Sequence, residues 1–169
     1  TPQGILAVLE ITQLPIPNSP SFVLILDQLR DPGNLGTLLR TAAAAGVQAV
    51  LLSPETTDAF APKVVRAGMG AHFRLPIHSL TWDEIREHTS ASHQIQQDKS
   101  NRVDDSHRIE KTHPSSTTHP PMQVYLADMD GTSCWETDLR KPLALIVGNE
   151  AEGASAEARK LATQKISIP

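Results

Sequence analysis

Apolar residues fall into short unbroken runs separated by stretches of helical spacing. Phe22-Val23-Leu24-Ile25-Leu26 is continuous rather than alternating, which predicts a strand buried on both faces, as in a parallel sheet covered by helices. Asp31-Pro32-Gly33-Asn34 predicts a turn. Residues 35–45 then predict a helix, with Leu35, Leu38, Leu39, Ala42 and Ala43 on helical spacing, Asn34 as its cap and Gly46 as its stop. Val50-Leu51-Leu52 predicts a second buried strand, ended by Ser53-Pro54. Residues 61–70 are weakly helical, and 73–77 predict a short strand. Thr81-Trp82-Asp83-Glu84 has the spacing of a capping box and so starts a helix. Strands are predicted at 124–127 and 143–147, then a helix capped by Ser155 and running through Ala162, and Ile166-Ser167-Ile168-Pro169 again reads like a strand. Alternating strands and helices predict an α/β fold with a mostly parallel sheet and helices on both faces. In such sheets ligands lie at the carboxyl ends of the strands, here the loops after residues 26, 52, 127 and 147.

Two segments differ in kind. Residues 1–20 carry Pro2, Pro15, Pro17 and Pro20 and predict an entry linker with at most one short apolar element at 5–11. Residues 90–121 have no aromatic residue and few aliphatics, which leaves little to offset the entropy of ordering them. They predict a flexible insertion in a domain spanning 21–169. His93, His107, His113 and His119 lie there at spacings of 14, 6 and 6, which fit a solvated loop better than any compact metal-ligand pattern; no metal is expected. The chain of 169 residues starts without Met and stops in an apolar, strand-like stretch, which predicts a piece of a longer protein.

Composition narrows the function classes. A net charge of −4 excludes holding nucleic acid by bulk positive charge, although not a local basic site. A single cysteine, Cys134, excludes a disulfide framework and a cysteine-based zinc cluster. No apolar run approaches the roughly 20 residues of a membrane span, and no secretory signal is evident. The expectation is a soluble, cytoplasmic protein.

There is no GxGxxG, P-loop or GxSxG motif. Two loops stand out instead, each after a strong strand. In the first, Asn34 can cap the helix, Gly36 permits close approach, and Arg40 interrupts a small and apolar stretch. In the second, Gly148-Asn149-Glu150-Ala151-Glu152-Gly153, Glu150 stands near two glycines at a strand end. Taken singly, Arg40 also reads as a solvated helix residue, and Glu150 as an acidic residue placed favourably before a helix.

Together these loops resemble motifs 1 and 2 of the SpoU (TrmH) group of RNA ribose 2′-O-methyltransferases. Motif 1 is matched by residues 27–43, with Asn34-x-Gly36-x-x-x-Arg40, and motif 2 by Val147 to Gly153. Lys63-Val64-Val65-Arg66-Ala67-Gly68-Met69-Gly70-Ala71 resembles the family's middle segment, where Ser more often stands at the Gly68 place, and Ile166-Ser167-Ile168-Pro169 resembles the opening of motif 3. The resemblance implies a SPOUT fold with a C-terminal trefoil knot, incomplete in this chain because motif 3 stops after Pro169. It implies an N-terminal RNA-binding domain preceding residue 1, a homodimer, and S-adenosylmethionine bound by Gly148, Asn149, Gly153 and Ile168. Asn34, Arg40 and Glu150 fall where the family places catalytic or site-forming residues, and Arg40, Lys63 and Arg66 are expected to meet RNA.

The implied reaction moves a methyl group to a ribose 2′-hydroxyl of RNA, with ribosomal RNA favoured over transfer RNA. Arg40 stands at the family's hydroxyl activator, yet a guanidinium stays protonated and is better suited to hold a phosphate and stabilise a developing alkoxide. Glu150, the phosphate or a water then remains as proton acceptor. The competing expectations are a non-catalytic RNA-binding remnant of the same family and an unrelated α/β nucleotide-binding domain.

Overall fold

In a computed structural model of the chain, which describes residues 13–90 and 122–169 together with Gly4, Val8, Glu10 and Ile11, the run Phe22–Leu26 forms β1 at the middle of the sheet. It pairs in parallel with β2 (Ala49–Leu52) on one side and with Leu143–Val147 on the other. The described strands continue as β3 (Ile77–Ser79), β4 (Gln123–Ser133), β5 (Leu143–Val147) and β6 (Gln164–Ser167). They form one six-stranded sheet in the order β3-β2-β1-β5-β4-β6, and every pairing is parallel. The helices are α1 (Pro32–Ala45), α2 (Pro62–Gly68), α3 (Trp82–Thr89) and α4 (Ala156–Leu161).

Because side chains alternate along a strand, the continuous apolar runs feed two cores. Leu24, Leu26, Val50 and Leu52 point to one face, where they pack with Leu35, Leu39 and Ala42 of α1 and Val64 of α2. Val23, Ile25, Ala49 and Leu51 point to the other, with Ile85 of α3 and Ala158 of α4. Helices therefore cover both faces, as expected. The chain before β1 is not detached: Ile16 packs on the second core, and His78 Nε2 donates to the Leu14 carbonyl at 2.8 Å. Beyond Ser90, the insertion expected at 90–121 and its histidines lie outside the described residues, as does most of the apolar element expected at 5–11.

Three local expectations change. The cap of α1 is Asp31, whose carboxylate accepts from the Asn34 N–H at 2.8 Å; Pro32 takes the first turn, where its missing N–H costs nothing, so the helix begins three residues early. The predicted strand at 73–77 is instead a 3-10 turn, Ala71–Phe73, followed by β3. Gly70 enters that turn in the left-handed region, and Phe73 is exposed rather than buried. Finally, β4 runs on past residue 127: Ala127 and Thr132 both lie opposite Ile166, so residues 128–131 bulge out at the carboxyl end of the sheet.

Elsewhere the local chemistry is as read. Gly46 closes α1 at φ +79°, and Thr81 and Glu84 complete both halves of the capping box of α3. Ser155 caps α4, its hydroxyl accepting from the Ala158 N–H at 3.2 Å. Gly68 makes room for an imidazole: a Cβ there would stand 2.8 Å from His72 Cε1, and His72 Nε2 donates to the Ala59 carbonyl at 2.7 Å.

Helices α1 and α2 come close together at Gly36. A Cβ on Gly36 would meet the Ala67 Cβ at 2.5 Å and the Val64 carbonyl oxygen at 2.6 Å, so α1 and α2 touch through bare backbone. Gly36→Val pushes them apart and is expected to cost about 2 kcal/mol of stability, the scale of overpacking a tight contact. Urea denaturation checks this; an unchanged midpoint would show that the two helices are not locked.

Candidate functional site

The carboxyl ends of β1, β2 and β5 lie side by side, because Leu26 is the register partner of both Leu52 and Val147. The two conspicuous loops leave from this edge. Asn34, in the first turn of α1, donates from Nδ2 to Glu150 Oε1 at 2.9 Å across 116 residues of sequence. Two of the three expected catalytic residues are thus in contact. Arg40 lies six residues further along α1, about 9 Å by helical rise, with its side chain exposed. Among the described residues its guanidinium has no hydrogen-bond or ion-pair partner, Asn34 and Glu150 included.

The second loop is built by its own residues. Asn149 is buried; its Oδ1 accepts from the Ala151 and Glu152 N–H groups at 2.8 and 3.0 Å, and its Nδ2 donates to the Gln28 carbonyl at 2.7 Å. Asn149 and Gly153 exchange backbone hydrogen bonds at 2.9 and 3.0 Å, with Gly153 at φ +73°, a conformation that costs other residues dearly. Gly148 lies against the returning chain, where a Cβ would stand 2.6 Å from the Ala154 nitrogen. This geometry gives Gly148, Asn149 and Gly153 loop-forming roles, and leaves Glu150 free to face α1.

Beneath the loops lies a group that the sequence reading did not single out. Asp27 is fully buried directly after β1. Its Oδ1 accepts from the Ser53 hydroxyl at 3.0 Å and its Oδ2 from the Ser155 N–H at 2.7 Å. Gln28 follows at φ +54°, its N–H donating to Ser53 Oγ at 3.0 Å. The only trace in the sequence is a carboxylate set directly after five apolar residues. Arg30 was likewise missed; it spans Glu55 at 3.3 Å and Glu152 at 3.9 Å, tying the loop after β2 to the loop after β5.

On the α2 side, Lys63 Nζ stands 3.8 Å from Asp31 Oδ2, while the exposed Arg66 has no side-chain partner among the described residues. At the β4–β6 end of the same edge is a groove of about 360 Å³. Ala127, Leu145, Ile166 and Ile168 form its apolar wall, with Asp128 and Cys134 beside them. Asp128 also receives Lys165 Nζ at 2.8 Å and Arg159 Nη1 at 3.3 Å; Lys165 foremost, then the Asp130 N–H, with Arg159 assisting, hold its carboxyl below the ordinary aspartate value. Of the residues expected to hold a cofactor, Ile168 lines this groove; Gly148, Asn149 and Gly153 follow the strand that contributes Leu145. The volume lies in the range of small-molecule sites, and the apolar wall with an adjacent carboxylate suits a ligand with a flat ring and polar substituents.

Comparison with known proteins places the chain in a family. The pattern that defines the SpoU rRNA Methylase family matches residues 21–111. The chain is 38% identical over 186 aligned residues to rRNA methyltransferase 3A, mitochondrial, of Danio rerio, covering 97% of this chain and 43% of that protein. It is 46% identical over 77 residues to the 23S rRNA (guanosine(2553)-2'-O)-methyltransferase RlmP of Bacillus subtilis, covering 46% of this chain and 31% of that one. The AdoMet-bound rRNA methyltransferase of Sinorhizobium meliloti superposes with a TM-score of 0.61 at 31% identity, over 88% of this chain and 47% of that structure. The chain spans less than half the length of each of these proteins.

The Asn34 N–H bond to Asp31 holds that carboxyl below the ordinary value of 3.8, with Lys63 and the Gly33 N–H assisting. A depressed folded value means the cap stabilises α1 at neutral pH and is lost as pH falls through the folded value. The Asn34 amide resonance is therefore expected to titrate with a midpoint below 3.8, and Asp31→Asn to abolish that titration. A midpoint at or above 3.8 would contradict the cap.

Proposed function

The chain belongs to the SpoU rRNA Methylase family, and from that membership we propose that it is the catalytic domain, residues 21–169, of an enzyme that transfers a methyl group from S-adenosylmethionine to a ribose 2′-hydroxyl of RNA, ribosomal rather than transfer RNA. The observation that carries this reading is the contact of Asn34 with Glu150 at the carboxyl edge of the sheet, with Arg40 further along the same helix, exposed and without a partner among the described residues. The ribosomal substrate and the 2′-oxygen are supported by the names of the Danio rerio and Bacillus subtilis relatives, and the cofactor by the AdoMet-bound Sinorhizobium meliloti structure.

In this reading the groove beside β6, lined by Leu145, Ile166 and Ile168, would hold the cofactor, with Gly148, Asn149 and Gly153 in the loop that follows β5. Bound there, S-adenosylmethionine would supply an activated methyl group to the 2′-oxygen, its carbon–sulfur bond breaking as the oxygen–carbon bond forms, with the hydroxyl proton passing to a base. The chain's own residues bring the reactants together, and alignment of two held reactants is worth many orders of magnitude in rate. Arg40 binds the phosphate next to the reacting ribose and stabilises negative charge building on the 2′-oxygen. It is always protonated and so does not take the proton itself. Glu150 is exposed and held in place by Asn34, which suits it to positioning the ribose or accepting that proton, directly or through a water.

Lys63 and Arg66 extend the positive side chains along α2 toward RNA phosphates, which fix orientation without reading sequence. The preceding RNA-binding domain, the homodimer and the C-terminal knot belong to the same proposal by family resemblance. A cytoplasmic location is proposed from cysteine usage; the Danio rerio relative is named as mitochondrial, and a fluorescent fusion of the full-length protein distinguishes the two.

The test uses the full-length protein with methyl-labelled S-adenosylmethionine and total RNA, followed by mapping of 2′-O-methyl positions. Arg40→Ala is expected to lower kcat by about 100-fold or more, the scale of removing one stabilising group from a transition state, while cofactor affinity by calorimetry stays unchanged. Near wild-type transfer by Arg40→Ala would sink the assignment of Arg40. Cofactor-independent RNA binding with no transfer by the wild type would favour a non-catalytic relative.

A further inference from the structure

Asp27 is a buried carboxylate that the proposed chemistry does not use. No described cation pairs with it, and its known partners are the Ser53 hydroxyl and the Ser155 N–H. Each partner begins or ends a different wall of the site. Ser53 follows β2, Ser155 closes the 148–155 loop as the cap of α4, and Asp27 itself follows β1, its own N–H donating to the Val147 carbonyl at 2.9 Å. The next residue, Gln28, sits at φ +54°, which is unfavourable for a side chain with a Cβ. Two contacts hold it there: its N–H to the same Ser53 oxygen and its carbonyl to Asn149 Nδ2. A strained residue clamped from both sides beside a site is a mark of imposed geometry.

We infer that Asp27 is a positioning residue of the methyl-transfer site. Its two carboxylate oxygens fix the 148–155 loop relative to the start of α1, and so fix where Glu150 meets Asn34. The inference rests on the proposed function for its catalytic readout, but the hold on the loop is measurable without it. Asp27→Ala leaves the Ser155 N–H without its acceptor and frees Ser53. Asp27→Asn keeps the side-chain shape, an acceptor for Ser155 N–H and a donor toward Ser53 Oγ, which can then donate to the Pro54 carbonyl already 3.1 Å away.

The experiment combines kinetics and amide hydrogen exchange on the full-length protein. For Asp27→Ala, kcat is expected to fall about 100-fold, the scale of misplacing a reacting group by an ångström, with KM for RNA little changed. Exchange at Gln28, Ala151, Glu152 and Ser155 should rise at least about tenfold while Val23 to Leu26 keep their protection, as in local rather than global opening. Asp27→Asn should restore most of kcat and the Ser155 protection. The inference is overturned if Asp27→Ala keeps both kcat and Ser155 protection, or if kcat falls only with loss of protection throughout β1. Should Asp27→Ala not fold, Ser53→Ala removes one partner of the carboxylate together with the acceptor of the Gln28 N–H, so exchange is read at Ser155, and unchanged Ser155 exchange there would overturn it equally. A wild type that transfers no methyl group refutes the functional reading, whereas the exchange pattern still decides whether Asp27 holds the loop.

Discussion

Everything at the carboxyl edge depends on the register of β1 with its two neighbours. Leu26 lies opposite both Leu52 and Val147, so the loops that follow these strands start level with one another. A shift of one residue would do more than displace a loop. It would turn Leu24 and Leu26 away from α1 and α2 and offer Val23 and Ile25 in their place, exchanging the two cores. The packing of α1 against one face and of α3 and α4 against the other therefore enforces the register. The register in turn lets Asn34 meet Glu150, and the helices that protect it include the one that carries Asn34 and Arg40.

How much of this was legible depended on how local the determining physics was. β1 and β5 have the bounds read from their unbroken apolar runs, because burial on both faces leaves no polar position inside the strand. The caps at Thr81 and Ser155 were legible because each involves atoms within one turn. The start of α1 was not, since Asp31 and Asn34 are both good caps and only the fold shows which is engaged elsewhere. Asn34 reaches across to Glu150, and Asp31 is left to receive the N–H of Asn34 itself.

The remaining misreadings come from contacts distant in sequence. Residues 73–77 contain enough apolar character for a strand, but the left-handed Gly70 and the outward Phe73 make a 3-10 turn, and the sheet is rejoined only at Ile77. The bulge at 128–131 exists because Ala127 and Thr132 compete for the same partner, Ile166, some forty residues away. Asp27 could not be read as a hub because Ser53 and Ser155 lie 26 and 128 residues from it. In the candidate site, the motifs marked two loops that the fold brings together, without separating residues that shape the loops from residues that do not.

The structure makes that separation only on the side of the fold, by showing what each loop-shaping residue holds. In the first motif, Asp27 joins three strand ends, Asp31 caps α1, and Gly36 admits α2. In the second, Gly148 lets the chain return against itself, while Asn149 and Gly153 close the loop. What remains is Glu150, held by Asn34, and Arg40, which is exposed, lacks a partner among the described residues and follows the fully buried Leu39. An exposed arginine alone means little, since charged side chains ordinarily face water. Its weight comes from the company it keeps: the fold accounts for its neighbours in the motif, and the helix that carries it also supplies the Asn34 contact to the opposite loop. A group with no part in building these loops, set on the helix that builds one of them, is the one the fold leaves available to the proposed chemistry.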